Sequence, residues 1–280
     1  MDLRLLRLLD AFRAMGPVAV AFSGGVDSTL TLWAAVTALG QDAVGVNVRS
    51  EFVCGAERLR AEAMAAHLGL SMGIGMGETA EPGTRIFVRH ISTLADADLR
   101  ANSAQRCYLC KLRVLAEARK VADAHFGPGR AIAEGTNADD DPARPGRRAV
   151  AECGVHSPLA ACGIDKAGVR QLARLVGLPN ADDPSNSCLA TRVPTGHELT
   201  HARLTAIEGL ERAARDMGLA DLRARLIPGG SGLPCESRAP DGVRLEIRPA
   251  QRLLAESCLE ALRQRALFIG FAHFCLGERS

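Results

Sequence analysis

The sequence predicts an α/β fold, in which helices cover both faces of a parallel sheet, followed by a smaller α+β domain. Short apolar runs alternate with helical patterns from residue 18 to residue 178, and this alternation indicates parallel βαβ units. After Pro194 the pattern changes to a long helix, two strand-like runs and a final helix. We therefore predict a first domain over residues 1–195 and a second over residues 196–280.

Apolar spacing, and glycines that end helices, place the individual elements. The first domain is expected to contain, in chain order, a helix over 1–16, a strand over 18–22, a helix over 28–39, a strand over 42–48, a helix over 57–68, a strand over 70–76, a helix start at 86–88, a helix over 110–126, a strand over 130–135 and a helix over 166–176. The second domain is expected to contain a helix over 201–217, two strands that flank a Gly/Pro-rich insertion at 228–242, and a final helix.

Composition excludes several classes of function. The net charge is +2, from 34 basic and 32 acidic residues, which does not suit a sequence-independent nucleic-acid binder. The longest apolar runs fall short of the roughly 20 residues of a membrane span. The N-terminal segment has a helical period and not the pattern of a signal peptide. We predict a cytoplasmic protein with no membrane or nucleic-acid partner, whose nine cysteines are core residues, metal ligands or nucleophiles.

The segment VAVAFSGGVDSTLTLW, at residues 18–33, places two glycines and two serines between a predicted strand and a predicted helix. Glycines let backbone N–H groups surround an anion, and a helix start adds N–H donors and a positive dipole end. A tight turn capped by Asp27 or Ser28 is the simpler alternative. The complete string favours phosphate binding, although it is not a Walker sequence.

The string SGGVDS resembles the pyrophosphate loop of the PP-loop ATPases, also called adenine nucleotide α-hydrolases, which split ATP between its α and β phosphates. The resemblance implies that ATP and Mg²⁺ are cofactors. It assigns the pyrophosphate portion of ATP to Ser23, Gly24, Gly25, Asp27 and Ser28. Asn47 is expected near the adenosine. Asn137 and Asp140, in the string EGTNADD, are expected to contact Mg²⁺ or the nucleotide, unless this acidic run is a solvated turn.

Five strings in order, RCYLCK, EGTNADD, ARPGRRA, GVHSPL and SNSCLATRVP, resemble the LarE family of ATP-dependent sacrificial sulfur transferases. The resemblance covers residues 23 to about 225 and is faint beyond them. It implies that ATP adenylates a carboxylate of a pyridinium dicarboxylate mononucleotide, which sulfur then converts to a thiocarboxylate during synthesis of the nickel-pincer nucleotide. The expected partner is this small-molecule nucleotide, and a homo-oligomer is expected.

Two sulfur sources remain open. Cys188 matches the cysteine that such enzymes sacrifice, and the nearby cation of Arg192 would lower the pKa of its thiol. Alternatively, Cys107 and Cys110 form a Cys-x-x-Cys pair at a helix start and, with Cys188, would hold a [4Fe–4S] cluster with one open iron. Chance placement or a redox pair is the simpler interpretation of Cys-x-x-Cys.

The same resemblance implies that the nucleotide substrate binds at Thr191, Glu211, Arg223 and Arg225. The two arginines alternate on a predicted strand and therefore share one face, where guanidinium groups suit a phosphate. A solvent-facing side of the strand would show the same pattern.

Other functions stay open at this point. A PP-loop tRNA thiolase is disfavoured by the near-neutral charge. An ammonia-using amide synthetase would not need Cys188 or the Cys-x-x-Cys pair. A regulatory nucleotide-binding module would bind ATP without releasing AMP.

Overall fold

The computed structural model describes residues 2–75, 79–229 and 241–279. Most of the Gly/Pro-rich insertion predicted at 228–242, and residue 76 of the predicted strand 70–76, lie outside these ranges. The chain divides into two compact units, Met1–Ile91 with Cys107–Ser185, and Ser92–Arg106 with Asn186–Ser280. The sequence predicted a division after residue 195, whereas the second unit begins at residue 186 and also takes in a short earlier segment.

The first unit contains a parallel sheet of five strands in the order β3-β4-β2-β1-β5. Its strands are β1 Val18–Ala21, β2 Ala43–Arg49, β3 Met72–Ile74, β4 Ile86–His90 and β5 Ala131–Ala133. The helices of the described chain up to residue 185 are α1 Leu3–Met15, α2 Val26–Leu39, α3 Gly55–His67, α4 Ala97–Arg100, α5 Arg106–Phe126, α6 Pro145–Glu152, α7 Pro158–Ala161 and α8 Lys166–Leu175. The predicted α/β class is confirmed.

Successive residues of β1 face opposite sides of the sheet, because side chains alternate along a strand. Val18 and Val20 pack into the core cluster that also contains buried side chains of α1, α2 and α8. Ala19 packs into a second cluster with buried side chains of α5, such as Leu115. Helices therefore cover both faces, as the continuous apolar run of β1 predicts.

One element was predicted wrongly. Residues 86–88 were expected to start a helix, but Ile86–His90 forms β4 and pairs with both β2 and β3. Ile86, Phe87 and Val88 are buried. The apolar run is short and contains β-branched residues, which is typical of a buried parallel strand and not of a helix.

The second unit contains a mixed three-stranded sheet in the order β6-β7-β8. Its strands are β6 Arg223–Ile227, β7 Gly242–Ile247 and β8 Phe274–Glu278, and its later helices are α9 His201–Asp216, α10 Arg252–Ser257 and α11 Leu259–Ile269. The predicted pairing across the insertion is present as the antiparallel pair β6/β7. The parallel strand β8 was not predicted. Within the described ranges, no helix has the length and apolarity needed to cross a membrane.

Candidate active site

The glycine-rich turn follows β1 and leads directly into α2, whose N-cap is Gly25. Gly24 has a φ of +80°, and a Cβ added there would lie 2.5 Å from the Cα of Ala61 in α3. A side chain at this position would thus be both conformationally strained and in collision with backbone. The loop is held against α3 with its amides at the positive end of α2, a geometry suited to an anion.

Serine hydroxyl groups hold the loop in this form. The N–H of Ser23 donates to Oγ of Ser28 at 3.2 Å, and the two hydroxyl oxygens lie 3.1 Å apart. Oγ of Ser28 donates to the carbonyl of Gly25 at 3.0 Å. Ser23, Gly24 and Gly25 form the turn, Asp27 and Ser28 lie in the first turn of α2, and the two serines link the turn to the helix.

Asn180 supports the same loop from the chain after α8. Its Nδ2 donates to the carbonyl of Gly24 and to Oγ1 of Thr29, each at 3.0 Å, and the residue is 2% exposed. The sequence analysis missed Asn180, because it lies 156 residues from Gly24 in a segment without helical or strand periodicity.

The segment after β5 packs against the start of α2. A Cβ added to Gly135 would lie 2.8 Å from the backbone nitrogen of Ser28, so glycine permits this close approach. Nδ2 of Asn137 donates to Oδ1 of Asp27 at 2.9 Å. The ammonium group of Lys166, the first residue of α8, forms an ion pair with Oδ2 of Asp27. The predicted residues Asp27 and Asn137 are thus brought together, and Lys166 joins them although no sequence pattern indicated it.

The two aspartates after Asn137 shape the turn. Oδ2 of Asp140 accepts from the N–H of Asn137 at 3.0 Å, and Oδ2 of Asp139 accepts from the N–H of Lys166 at 2.9 Å. These contacts match the turn alternative for Asp140, and its contact with a ligand stays a prediction.

Asn47 lies near the end of β2 and is 6% exposed. Its Nδ2 donates to the carbonyl of Phe22 at 2.9 Å, and its Oδ1 accepts from Nε of Arg49 at 3.1 Å. The side chain therefore ties the ends of two neighbouring strands together. Its predicted proximity to the adenosine stays a prediction.

Cys107 and Cys110 lie in the first turn and a half of α5, three residues apart, a spacing that puts them on the same side of a helix. Cys107 is exposed and Cys110 is partly exposed. One residue later, Lys111 donates to Oε2 of Glu134 at 3.0 Å. Burial alone would raise the pKa of Glu134, but Lys111 and hydrogen bonds from Thr136 and Ser157 outweigh burial and lower it.

In the second unit, Cys188 is the N-cap of a 3₁₀ turn over Leu189–Arg192 and is partly exposed. The side chain of Arg192 is 0% exposed, and its Nε donates to Oε1 of Glu211 at 2.9 Å. Its other nitrogens donate to Asn186 Oδ1 at 3.0 Å, to Ser187 Oγ at 2.8 Å and to the carbonyl of Cys188 at 3.3 Å. A further nitrogen contact goes to the carbonyl of Ser187, so Arg192 holds the segment of residues 186–188, which contains the candidate sulfur donor.

The buried carboxylate of Glu211 has further partners. Its Oε1 accepts from the N–H of Ala224 at 3.0 Å, and its Oε2 accepts from Arg215 at 2.9 Å. Arg192 was predicted to be catalytic and Glu211 to bind the substrate, but the two side chains form an ion pair with each other in the interior of this unit. Both predicted roles stay predictions, and the contacts favour a positioning role for the pair.

Ala224 and Leu226 alternate with the two arginines along β6 and are buried, so Arg223 and Arg225 lie together on the opposite face of the strand. Arg225 donates to Oε2 of Glu246 at 3.1 Å and to the carbonyl of Thr191. Nε of Arg223 is buried and has no hydrogen-bond partner among the described residues. Burial, followed by the positive charges of Arg279, Arg192 and Arg225, lowers the pKa of Arg223.

The neighbouring Arg192, Arg225 and Arg279 are each paired with a carboxylate, so, among the described residues, the donor left for an anion here is Nε of Arg223. A buried guanidinium nitrogen without a partner is costly unless an acceptor is supplied, and a phosphate oxygen is an acceptor of the required charge.

The residues that the structure describes include no group of three or more His, Cys, Asp or Glu side chains arranged to hold a metal ion. Cys107 and Cys110 belong to the first unit and Cys188 to the second, and the three-thiolate cluster stays a prediction. The carboxylate of Asp27 is of the chemical type that Mg²⁺ prefers, and Mg²⁺ needs only one or two protein carboxylates when phosphates supply further oxygens. The loop therefore fits Mg²⁺ together with a nucleotide.

No protein-family model matches the chain. The chain is similar to an uncharacterized protein of Synechocystis, with 34% identity over 226 residues that cover 80% of this chain and 78% of the relative. It is also similar to the pyridinium-3,5-bisthiocarboxylic acid mononucleotide synthase of Lactiplantibacillus plantarum, with 30% identity over 219 residues that cover 78% of this chain and 74% of the relative. The chain therefore belongs to the family of this synthase, the LarE family.

Proposed function

We propose that this protein is an ATP-dependent sulfur transferase that converts a carboxylate of a pyridinium dicarboxylate mononucleotide into a thiocarboxylate, with release of AMP and pyrophosphate. The observation that carries the proposal is the similarity to a relative whose name describes a bisthiocarboxylic acid mononucleotide product. This similarity extends along 78% of this chain and 74% of the relative. The anion-binding loop at Ser23–Ser28 and the partly exposed Cys188 support it.

The first step joins a carboxylate oxygen of the substrate to the α-phosphorus of ATP. The bond from that phosphorus to the bridging oxygen breaks, and its electron pair leaves with pyrophosphate. The N–H groups at the start of α2 would stabilise the negative charge that develops there. Asp27 would hold Mg²⁺, which supplies charge neutralisation for the departing diphosphate.

In the second step, the thiolate of Cys188 attacks the acyl carbon, and AMP leaves with the electron pair of the carbon–oxygen bond. The Cβ–S bond of Cys188 then breaks as its Cα proton is lost, which leaves dehydroalanine in the chain and a thiocarboxylate on the product. In the alternative, Cys107, Cys110 and Cys188 would hold a [4Fe–4S] cluster, whose chemistry would supply sulfide and leave Cys188 intact.

The phosphate of the substrate would bind at Arg223 and Arg225. Nε of Arg223, which is buried and has no hydrogen-bond partner in the part of the chain that the structure describes, supports this assignment. Thr191 lies beside the same face, since its carbonyl accepts from Arg225 and its Oγ1 donates to the carbonyl of Cys188 at 2.7 Å. Arg192 would position Cys188 by binding the backbone carbonyls around it, with Glu211 as its counter-ion. A cytoplasmic location and a homo-oligomeric state stay predictions.

The test starts with protein purified without oxygen, whose iron content is measured. The protein is then incubated with ATP, Mg²⁺ and the pyridinium dicarboxylate mononucleotide, and AMP, thiocarboxylate product and intact mass are followed. A mass lower by one H₂S, located at Cys188, supports the sacrificial route. Iron in the protein, product formation and an unchanged mass support the cluster route.

The Cys188→Ser variant is expected to form AMP but no thiocarboxylate. Cys162→Ser is the matched control, because Cys162 is a similarly half-buried thiol that has no place in the proposal. Product formation by Cys188→Ser at the wild-type rate would refute the role of Cys188. Sulfur transfer to tRNA would favour a tRNA thiolase, and an amide formed from ammonia would favour a synthetase.

A further inference from the structure

We propose that Thr191 and Arg192 form an oxyanion site for the main-chain carbonyl of Cys188, and that this site stabilises the enolate formed when Cys188 loses its Cα proton. The inference rests on the proposed function, since it concerns the elimination step of the sacrificial route. Its basis is the convergence of three donors on one carbonyl oxygen. These are the N–H of Thr191 at 3.0 Å, Oγ1 of Thr191 at 2.7 Å and Nη1 of Arg192 at 3.3 Å.

The elimination places negative charge on this oxygen. Once the sulfur of Cys188 has formed a thioester with the substrate, the Cα proton passes to hydroxide from solvent, to which Cys188 is partly exposed. The electron pair of the Cα–H bond moves toward the carbonyl oxygen of Cys188. It then returns to form the Cα–Cβ double bond, while the electrons of the Cβ–S bond leave with sulfur as the thiocarboxylate. Donors fixed around an oxygen that gains charge lower the barrier to such a step.

The hydroxyl group of Thr191 is oriented toward the carbonyl of Cys188. A guanidinium group can only donate hydrogen bonds, and Nη1 of Arg192 lies 3.2 Å from Oγ1 of Thr191. Oγ1 therefore accepts from Arg192 and has its own proton for the carbonyl oxygen. A threonine hydroxyl often binds the carbonyl three residues earlier, so this bond alone would indicate only a turn. The buried cation on the same oxygen is the second observation.

The guanidinium of Arg192 is 0% exposed, so its attraction to charge on a nearby oxygen is weakly screened by water. Its contact of 3.3 Å with the carbonyl of Cys188 is long for a hydrogen bond. This contact becomes more favourable as the oxygen gains charge, which is the requirement for catalysis as opposed to binding. Glu211 binds the Nε side of the guanidinium and offsets part of its charge. The two bonds from Thr191 therefore carry the larger share of the stabilisation.

The turn that carries these donors is held from a second direction. Nη1 of Arg106 donates to the carbonyl of Ala190 at 2.9 Å, and Nδ2 of Asn102 donates to the carbonyl of Pro194 at 2.9 Å. Arg106 is 8% exposed and Asn102 is 0% exposed. Asn102 has a φ of +54°, which is unfavourable for a residue other than glycine and persists only where surrounding contacts hold it. The donors are thus preorganised and need not move as charge develops.

The first test follows intact mass during a single turnover with ATP, Mg²⁺ and the pyridinium dicarboxylate mononucleotide. Thr191→Val removes the hydroxyl group with little change in size, and Thr191→Ser is the matched control that keeps it. We expect Thr191→Val to accumulate the thioester on Cys188, seen as a mass higher by one acyl group, because elimination is slowed about 100-fold. Wild type and Thr191→Ser should proceed to a protein lower in mass by one H₂S.

A second test needs neither substrate nor ATP. The cysteines are arylated with fluorodinitrobenzene, and their conversion to dehydroalanine at mildly alkaline pH is followed by peptide mass. The balance is the same: hydroxide takes the Cα proton, and the electrons of the Cβ–S bond leave with the aryl thiolate. We expect elimination at Cys188 to be about 100-fold faster in folded wild type than in Thr191→Val or in urea-unfolded wild type. Cys162, half-buried and outside this turn, is the internal control.

The two tests separate this role from others that Thr191 could have. If Thr191 only binds substrate or shapes the turn, Thr191→Val loses thioester formation and leaves the elimination rate of arylated Cys188 unchanged. That result would overturn the proposal. Iron, product and an unchanged mass in wild type would overturn it too, and would leave sulfur transfer itself in place. If wild type forms no thiocarboxylate, the proposed function fails, and the arylated protein still decides whether the oxyanion site exists.

Discussion

Replacement of Arg192 by methionine is expected to destabilise the second unit strongly. The side chains of Arg192 and Glu211 are 0% and 1% exposed, and removal of one partner of a buried ion pair costs about 3–5 kcal/mol. In the variant, Glu211 keeps its hydrogen bonds from Arg215 and from the N–H of Ala224. Because this compensates part of the buried charge, we expect the lower end of the range, about 3 kcal/mol in the free energy of unfolding.

The assay is urea unfolding followed by circular dichroism, with Arg13→Met as the control. Arg13 pairs with Asp10 on the surface of α1, where the side chains are 55% and 69% exposed, and such a pair contributes less than about 1 kcal/mol. An equal loss of stability in Arg192→Met and Arg13→Met would refute the assignment of Arg192 to a buried ion pair.

The same perturbation tests the positioning of Cys188. Arg192 binds the side chain of Asn186, Ser187 and the carbonyl of Cys188, so its loss should loosen this segment. We expect faster labelling of the Cys188 thiol by a disulfide reagent in Arg192→Met. Arg192→Lys should be more stable than Arg192→Met but equally fast in labelling, because an ammonium lacks the planar fork that reaches several acceptors at once. Labelling at the wild-type rate in both variants would contradict a positioning role.

Two further predictions concern the first unit. Gly24→Ala should abolish ATP binding measured by calorimetry, because its Cβ would lie 2.5 Å from the Cα of Ala61. Gly40→Ala is the control: Gly40 is also at positive φ but has no atom within 4 Å of the added Cβ, so this variant should bind ATP normally and lose only about 1 kcal/mol of stability. Equal ATP affinity in both variants would refute this reasoning. Glu134 has a lowered pKa in the folded protein. Its contribution to the free energy of unfolding is therefore present above its unfolded-state pKa of about 4.3 and is lost as the pH falls toward its folded-state pKa. The free energy of unfolding of Glu134→Gln should therefore fall less than that of wild type on acidification from pH 6 to about pH 3, and parallel curves would contradict the lowered pKa.

The fold class could be predicted because most strands and helices of the first domain have a recognisable pattern in their own sequence. Val18–Ala21 is apolar throughout, and Gly40 ends the helix that follows the loop. The elements that were missed have weak local signals. The helix Pro145–Glu152 is only eight residues long, and β8 is a five-residue strand that contains a glycine. Their formation depends on tertiary packing, which the sequence pattern does not contain.

The candidate site was predictable where its residues are contiguous. The segment from Ser23 to Ser28 is one string, and its predicted members lie in the turn after β1 and in the first turn of α2. Pairings between distant segments could not be predicted. Lys166 lies 139 residues from Asp27, and Arg192 pairs with Glu211 from a neighbouring helix. A sequence shows that Arg192 is charged and near Cys188, but burial and the identity of its counter-ion are set by packing, which is why a positioning role was not anticipated.

Among the described residues, each compact unit contains donors suited to an anion, and this division bears on the class of substrate. In the first unit, these are the amides at the start of α2, which we propose bind the diphosphate of ATP. In the second, Arg223 keeps a buried nitrogen without a partner among the described residues. A phosphate group of a mononucleotide substrate would supply a charged acceptor for this nitrogen. We therefore propose that the phosphate of the substrate offsets the cost of this buried nitrogen, which an acceptor without a phosphate would not do.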